Sequence, residues 1–402
     1  MMLPDEVLRS LTVRTDSKLI LVVIDGLGGL PVGGRTELEA AKTPNLDRLA
    51  SKSACGLIDP ISYGITPGSG PSHLALFGYD PLQYEIGRGV MEALGIDIPL
   101  TRDDLAARGN FATIDDRGII VDRRAGRIAT EKNGELCRFL GNEIKEVEGV
   151  RISVYPGKEH RFVLVFRGEG LRDDLTDADP QKDGLQARGT EALSDEARRT
   201  AEVVNLYLKK ANEVLRPFHP ANTILLRGFS KVPNIPTMLD RFKLRPAAIA
   251  TYPMYRGLAR LVGMEILETG ETLREEAETL KKYYDGYDFF YIHFKKTDSA
   301  GEDGNFKLKV KVLEEIDRVV PSLLKLKPDV LVVTGDHSTP SLLKGHSWHP
   351  NPILLHSKYI RPDSIRRFTE RHCQRGQLGR FTAVHILPLM LANGLKLKKF
   401  GA

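Results

Sequence analysis

The sequence predicts an α/β protein: a core with a mostly parallel sheet flanked by helices, interrupted by a smaller α+β domain. Compact apolar runs rich in β-branched and aromatic residues end abruptly in polar clusters in "KLILVVIDGLGGLP" (18–31), "YDFFYIHFKKTD" (287–298) and "PDVLVVTGDHSTP" (328–340). Strands buried on both faces have this composition. Between the last two runs, "NFKLKVKVLEEIDRVVPSLLKL" has helical periodicity and length enough for a crossover. The middle of the chain is different, with short strands set among acidic loops.

Taken in order, "MMLPDEVLRSLTVRTDSK" has charges where a secretory leader would need an apolar core, and reads as a short amphipathic helix of a cytoplasmic protein. The first core strand follows. "TPNLDRLASKSA" (43–54) is a helix with Thr43 as N-cap and Pro44 at its first position. The inserted domain is expected over 102–237, where "RFVLVFRG", "NTILLRG" and the helical 194–215 segment alternate with loops such as "RDDLTDADPQKDG". This leaves 1–101 and 238–402 as a discontinuous core.

Composition narrows the function. Of 402 residues 41% are hydrophobic and 28% charged, which excludes disorder, and no apolar run approaches a membrane span. Net charge is +5, and basic pieces such as "KLKVK" (307–311) read as solvated faces without the aromatic interleaving of a nucleic-acid surface. Cys55, Cys137 and Cys373 are far apart and in no paired motif, as in a reducing compartment. No phosphate-binding loop of the G-x-x-x-x-G-K-[ST] form occurs. Neither a nucleic-acid nor a membrane partner is expected, and a homo-oligomer is left open.

Ligands of open parallel sheets collect at the carboxyl ends of the strands. There the chain places Asp25, Asp298 with Glu302 four residues on, Asp336 with His337, and His346 in "GHSWHPNP". An aspartate after a strand is commonly a turn or cap residue. Several together form a mixed carboxylate and imidazole set suited to Zn²⁺ or Mn²⁺, enough for two ions and hence for phosphoryl transfer. "TPGSGPSHLALFGYDP" adds a nucleophile candidate: with Pro71 opening a helix, Ser69 would lie just before its amino terminus, where amides and dipole favour an alkoxide or phosphate. Ser72 would only satisfy backbone. His293 should point along a strand flank, away from these loops. For an anionic substrate, arginine clusters at turns and strand ends offer Arg123, Arg124 and Arg127 in "VDRRAGRI", Arg227 and Lys231 in "LLRGFSK", and Arg256 in "YPMYRGLAR".

"VVIDGLGGLP", "TPGSGPSHLALFGYDP", "DRRAGRI", "LLRGFSKVPNIP", "YPMYRGLARLVGM", "TGDHSTP" and "HSWHPNP" resemble, in order, the archaeal-type cofactor-independent phosphoglycerate mutases of the alkaline phosphatase superfamily. The resemblance implies an alkaline-phosphatase-like two-metal core, an inserted substrate-binding cap, and interconversion of 3- and 2-phosphoglycerate through a phosphoserine at Ser69, without 2,3-bisphosphoglycerate. It implies that Asp25, Ser69, Asp336 and His337 bind one ion, and that Asp298, His346 and the residue at 302 bind the other. The family has histidine where this chain has Glu302. A carboxylate there would shift preference toward Mn²⁺, with Zn²⁺, Co²⁺ and Mg²⁺ as alternatives; otherwise Glu302 faces solvent and the site is completed by water. A phosphomonoesterase or other phosphotransferase of the same superfamily, and a non-catalytic metal-binding scaffold, are the competing readings.

Overall fold

Six consecutive apolar residues, Leu19–Ile24, are all buried and form the middle of a sheet. The computed structural model describes residues 5–401. It divides into two units, Met1–Glu85 with Ile235–Ala402, and Ile86–Asn234.

Among the described residues of the first unit, an eight-stranded sheet runs Glu265–Ile266, Pro246–Ile249, Phe289–Phe294, Leu19–Ile24, Val330–Thr334, Asn351–Ser357, Ala54–Asp59, Gly379–Thr382. All neighbours are parallel except around Asn351–Ser357, which is antiparallel to both of its partners. The three runs singled out in the sequence are adjacent central strands. Ile24 pairs with Phe294 and Val23 with Thr334, so their carboxyl ends are level and the residues that follow emerge side by side.

The crossover segment is the helix Phe306–Lys325, which buries Val312, Leu313, Ile316, Val320 and Leu323 against the sheet. It also buries Asp317, whose carboxylate accepts from the amides of Asn45 (3.0 Å) and Leu46 (2.8 Å). That bond caps the helix Pro44–Ala50, whose own Thr43 makes no side-chain capping bond. The amphipathic segment near the start forms a helix over Asp5–Leu11; residues 1–4 lie outside the described residues.

The second unit contains, among the described residues, a six-stranded antiparallel sheet whose central strand is Asp104–Ile114, paired with Arg161–Arg167, Thr223–Lys231 and Ile120–Asp122. Leu105, Ala107, Phe111, Leu164 and Phe166 share a core with the helices Thr130–Glu143 and Arg198–Leu215. The unit begins before the expected 102, because the helix Arg88–Leu94 packs on the Asp104–Ile114 and Thr223–Lys231 strands. Gly89 makes this possible: a Cβ there would come within 2.1 Å of the Ala106 carbonyl oxygen.

Candidate active site

At the level strand ends, Asp25 and Asp336 are fully buried. Asp336 accepts from the Gly26 amide at 3.1 Å through Oδ1, which turns Oδ2 toward His337 Nε2 at 3.0 Å. His337 Nε2 is also 3.3 Å from Asp25 Oδ1. On its other side, Thr339 Oγ1 donates to Asp298 Oδ1 (2.6 Å) and so accepts from His337 Nδ1 (2.9 Å). That fixes the ring with Nε2 facing the carboxylates. Burial opposes a charge on His337, but Asp336, Asp25 and Asp298 outweigh it and raise its pKa to about 9. The centre therefore favours a cation beside these carboxylates.

His346 donates through Nδ1 to the Pro67 carbonyl at 2.9 Å, leaving Nε2 3.8 Å from Asp298 Oδ1. Among the described residues two groups have the spacing of a metal site: Asp25, Asp336 and His337; and Asp298, His337 and His346. Within each, one ligand atom per residue lies within 4.8 Å of the others. Asp25 Oδ1, Asp336 Oδ2 and His337 Nε2 are buried without a hydrogen-bond partner. Such atoms are costly unless something fills their valences, and three converging ones of this chemistry suit a divalent ion.

Ser69 is the first residue of the helix Ser69–Leu76, with Gly68 as N-cap. Pro71 is therefore the third helical residue and not the first, a position where no intrahelical amide bond is lost. The Ser69 side chain lies beside the phenol of Tyr255, which donates to Asp25 Oδ2 at 2.7 Å. Desolvation, then the charges of Asp25 and Asp336, push the Tyr255 pKa well up, so it stays a donor. Ser72 is occupied as expected, its hydroxyl donating to the Gly68 carbonyl at 2.7 Å. His73 is fully buried, donates to the Ser69 carbonyl at 2.8 Å, and is held neutral by burial, its pKa lowered to about 4.

Two placements differ from the sequence reading. Glu302 is exposed at the end of the short helix Lys296–Glu302 and joins neither group among the described residues. Asp298 sits in the buried first turn of the same helix. Instead, Lys295 bridges the groups, its Nζ 3.1 Å from Asp25 Oδ2 and 2.5 Å from Asp298 Oδ2. His293 does not lie apart: fully buried, it places Nε2 3.3 Å from Asp25 Oδ2 and stacks on Tyr255 with centroids 3.8 Å apart. Strand alternation with Tyr291, which also contacts His73, was the signal that could have found it.

In the second unit, the sheet face opposite the helices carries guanidiniums. Arg108 lies directly across from Arg227, and Arg161 across from Asn110. Like charges in register repel. Arg108 has Glu92 at 2.8 Å; Arg227 has Gln181 at 2.9 Å and, from Nε, Asp179 at 3.9 Å; the Nε of each is buried without a hydrogen bond. Desolvation, with Arg88 and other neighbouring guanidiniums, lowers the pKa of both. Arg88 and Arg108 were not among the candidates. Of those that were, Arg123 is bidentate to Asp179 (3.0 and 2.7 Å), Lys231 donates to the Leu171 carbonyl (2.9 Å), and Arg124 and Arg127 are exposed. Asp122 holds their turn by accepting from the amides of Arg124 and Gly126. Arg256, in the first unit, pairs with Glu268 at 2.8 Å.

A family model described as 2,3-bisphosphoglycerate-independent phosphoglycerate mutase matches residues 50–222. A chain from Thermosipho africanus named probable 2,3-bisphosphoglycerate-independent phosphoglycerate mutase is 54% identical over 398 residues, 99% of each chain. The protein belongs to this mutase family. Two solved structures agree with that membership. The cofactor-independent phosphoglycerate mutase from Thermoplasma acidophilum superposes with a TM-score of 0.79 at 34% identity, covering 94% of this chain and all (100%) of that one. The PH0037 protein from Pyrococcus horikoshii also gives 0.79, at 31% identity, covering 96% of this chain and 99% of that one. Membership accords with the paired donor groups, and no helix among the described residues is long and apolar enough to cross a membrane.

Proposed function

We propose that this protein is a cofactor-independent phosphoglycerate mutase that interconverts 3-phosphoglycerate and 2-phosphoglycerate through a phosphoserine on Ser69. The observation that carries the reading is a serine opening a helix beside Tyr255, whose phenol donates to Asp25, a carboxylate of a candidate metal group. Two divalent ions, one held by Asp25, Asp336 and His337 and the other by Asp298 and His346, would acidify a hydroxyl and offset charge on phosphate oxygens. A mixed set of carboxylates and imidazoles suits Mn²⁺ or Zn²⁺, and we take Mn²⁺ as the ion to test.

Ser69 Oγ forms a bond to phosphorus as the bond from phosphorus to the C3 oxygen breaks. Glycerate turns, and its C2 oxygen takes the phosphoryl group back, which regenerates Ser69. Tyr255, its phenol donating to Asp25, packs beside Ser69, and the first amides of the helix face the transferring oxygens. We assign substrate anion recognition to the face carrying Arg108, Arg161 and Arg227. A cytoplasmic setting suits the buried free thiols of Cys55, Cys137 and Cys373.

A phosphorus NMR time course on 3-phosphoglycerate with Mn²⁺ tests the reading. A growing 2-phosphoglycerate signal that Ser69→Ala abolishes is expected. Free phosphate in its place would make the protein a hydrolase, and no change a scaffold.

A further inference from the structure

We infer that Lys309, a buried lysine on the Phe306–Lys325 helix, is a positioning residue that sets the spacing of the two metal-binding groups through Thr339. Its side chain has no solvent exposure, and its Nζ donates to the Gly28 carbonyl at 2.9 Å and the Thr339 carbonyl at 2.8 Å. These carbonyls belong to the loops that follow two neighbouring strands, Leu19–Ile24 and Val330–Thr334. One loop begins at Asp25 and the other carries Asp336 and His337.

Thr339 is where the two groups meet. Its hydroxyl holds both His337 Nδ1 (2.9 Å) and Asp298 Oδ1 (2.6 Å), while its amide donates to the Gly28 carbonyl at 3.1 Å. A displacement of the Thr339 main chain would therefore move a donor of each group at once. The loops are packed too closely to compensate: a Cβ on Gly28 would meet Ser338 Oγ at 1.8 Å.

An ammonium buried only to fill space would be a poor choice, since desolvating it costs several kcal/mol and an apolar side chain packs as well. Burial does lower the Lys309 pKa, with the carboxylates of Glu37 and Glu370 opposing the fall. Those carboxylates grip the same loops. Glu370 accepts from the Gly29 amide at 3.0 Å, and Glu37 from the amide and hydroxyl of Ser341 at 2.8 and 2.6 Å. A cluster of buried polar side chains thus clamps both loops from behind.

The inference rests on the metal-centre reading above, and the experiment separates the two. Mn²⁺ binding to the full-length protein is titrated by electron paramagnetic resonance, well below the thermal midpoint of each variant, with circular dichroism to establish folding. If the wild type binds no Mn²⁺, the metal-centre reading itself fails. If it binds, Lys309→Met should weaken affinity by about 10- to 100-fold, the range seen when groups orienting metal ligands are lost. At saturating Mn²⁺, KM for 3-phosphoglycerate should stay within about twofold of wild type, because the arginine face is untouched. Thr339→Val should weaken Mn²⁺ binding similarly, Thr339→Ser should restore it, and the Lys309→Met/Thr339→Val pair should be less than additive. A folded Lys309→Met protein with wild-type Mn²⁺ affinity overturns the inference. Should that variant not fold, Thr339→Val decides alone: unchanged Mn²⁺ affinity overturns it, and weakened affinity rescued by serine supports it.

Discussion

The imidazoles of His337 and His346 stack with centroids 3.6 Å apart and planes 22° apart. Each is fixed by its outer nitrogen, His337 on Thr339 and His346 on the Pro67 carbonyl. His346 thus presents Nε2 toward Asp298. Its tie to Pro67 also anchors the loop that delivers Ser69.

His346→Ala should therefore affect both metal loading and the nucleophile. We expect Mn²⁺ stoichiometry to fall from two to one per chain and kcat to drop by more than about 100-fold, with folding retained. Isothermal titration and steady-state kinetics measure these. Two equivalents bound with unchanged affinity would remove His346 from the donor set.

Arg227 allows the anion-binding face to be tested without touching the metal groups. Its desolvated guanidinium faces Arg108 and is only partly neutralised by Asp179. A charge-assisted hydrogen bond to substrate is worth about 1.5–3 kcal/mol, so Arg227→Met should raise KM roughly 10- to 100-fold. Mn²⁺ affinity should not move. A variant whose KM equals that of wild type would leave Arg227 a structural residue.

Gly26 sits between Asp25 and the packed loops at φ +64°, and a Cβ there would come 2.7 Å from Thr339 Oγ1 and 2.9 Å from Asp298 Oδ1. Gly26→Ala pairs an unfavourable backbone with two contacts inside the donor network. A loss of about 1–3 kcal/mol in urea unfolding is expected, together with weaker Mn²⁺ binding. Wild-type values for both would mean that the loop has room the close contacts deny.

Much of this centre was legible because doubly buried parallel strands cannot continue into polar sequence. The first charged residue after "LILVVI" or "VLVVT" marks a strand end, and strand ends are where parallel sheets bind. Ser69 was legible from its glycines. Lys309 was not, because "KLKVK" reads as an alternating solvated segment. Helical spacing would have separated it, since 309 falls in register with buried Val312, Leu313 and Ile316. Glu302 shows the converse: it shares one short helix with Asp298, yet the side chain at its end is exposed. The Arg88–Leu94 helix joins the inserted unit without any change in composition, so its allegiance depends on Gly89 fitting against a strand found only in the folded chain.

Glu276 carries a prediction about stability that is independent of the metal groups. It lies on the Leu273–Tyr283 helix, only 3% exposed, with Oε2 unpartnered. Burial raises its pKa to about 8, and the Lys296 ammonium offsets this only in part. A carboxyl whose folded-state pKa lies above its unfolded value favours folding fully below the unfolded value near 4.5, and loses that contribution as pH rises to about 8. Wild-type stability should therefore decline between pH 5 and pH 8 by up to a few kcal/mol from this group, on the order of the 1.36 kcal/mol per pKa unit that linkage sets. Glu276→Gln cannot ionise and keeps the shape. It should match wild type in urea unfolding at pH 5 and exceed it at pH 8.5. The same difference at both pH values would mean that Glu276 is charged throughout, and that its buried oxygen is satisfied by a partner as strong as water.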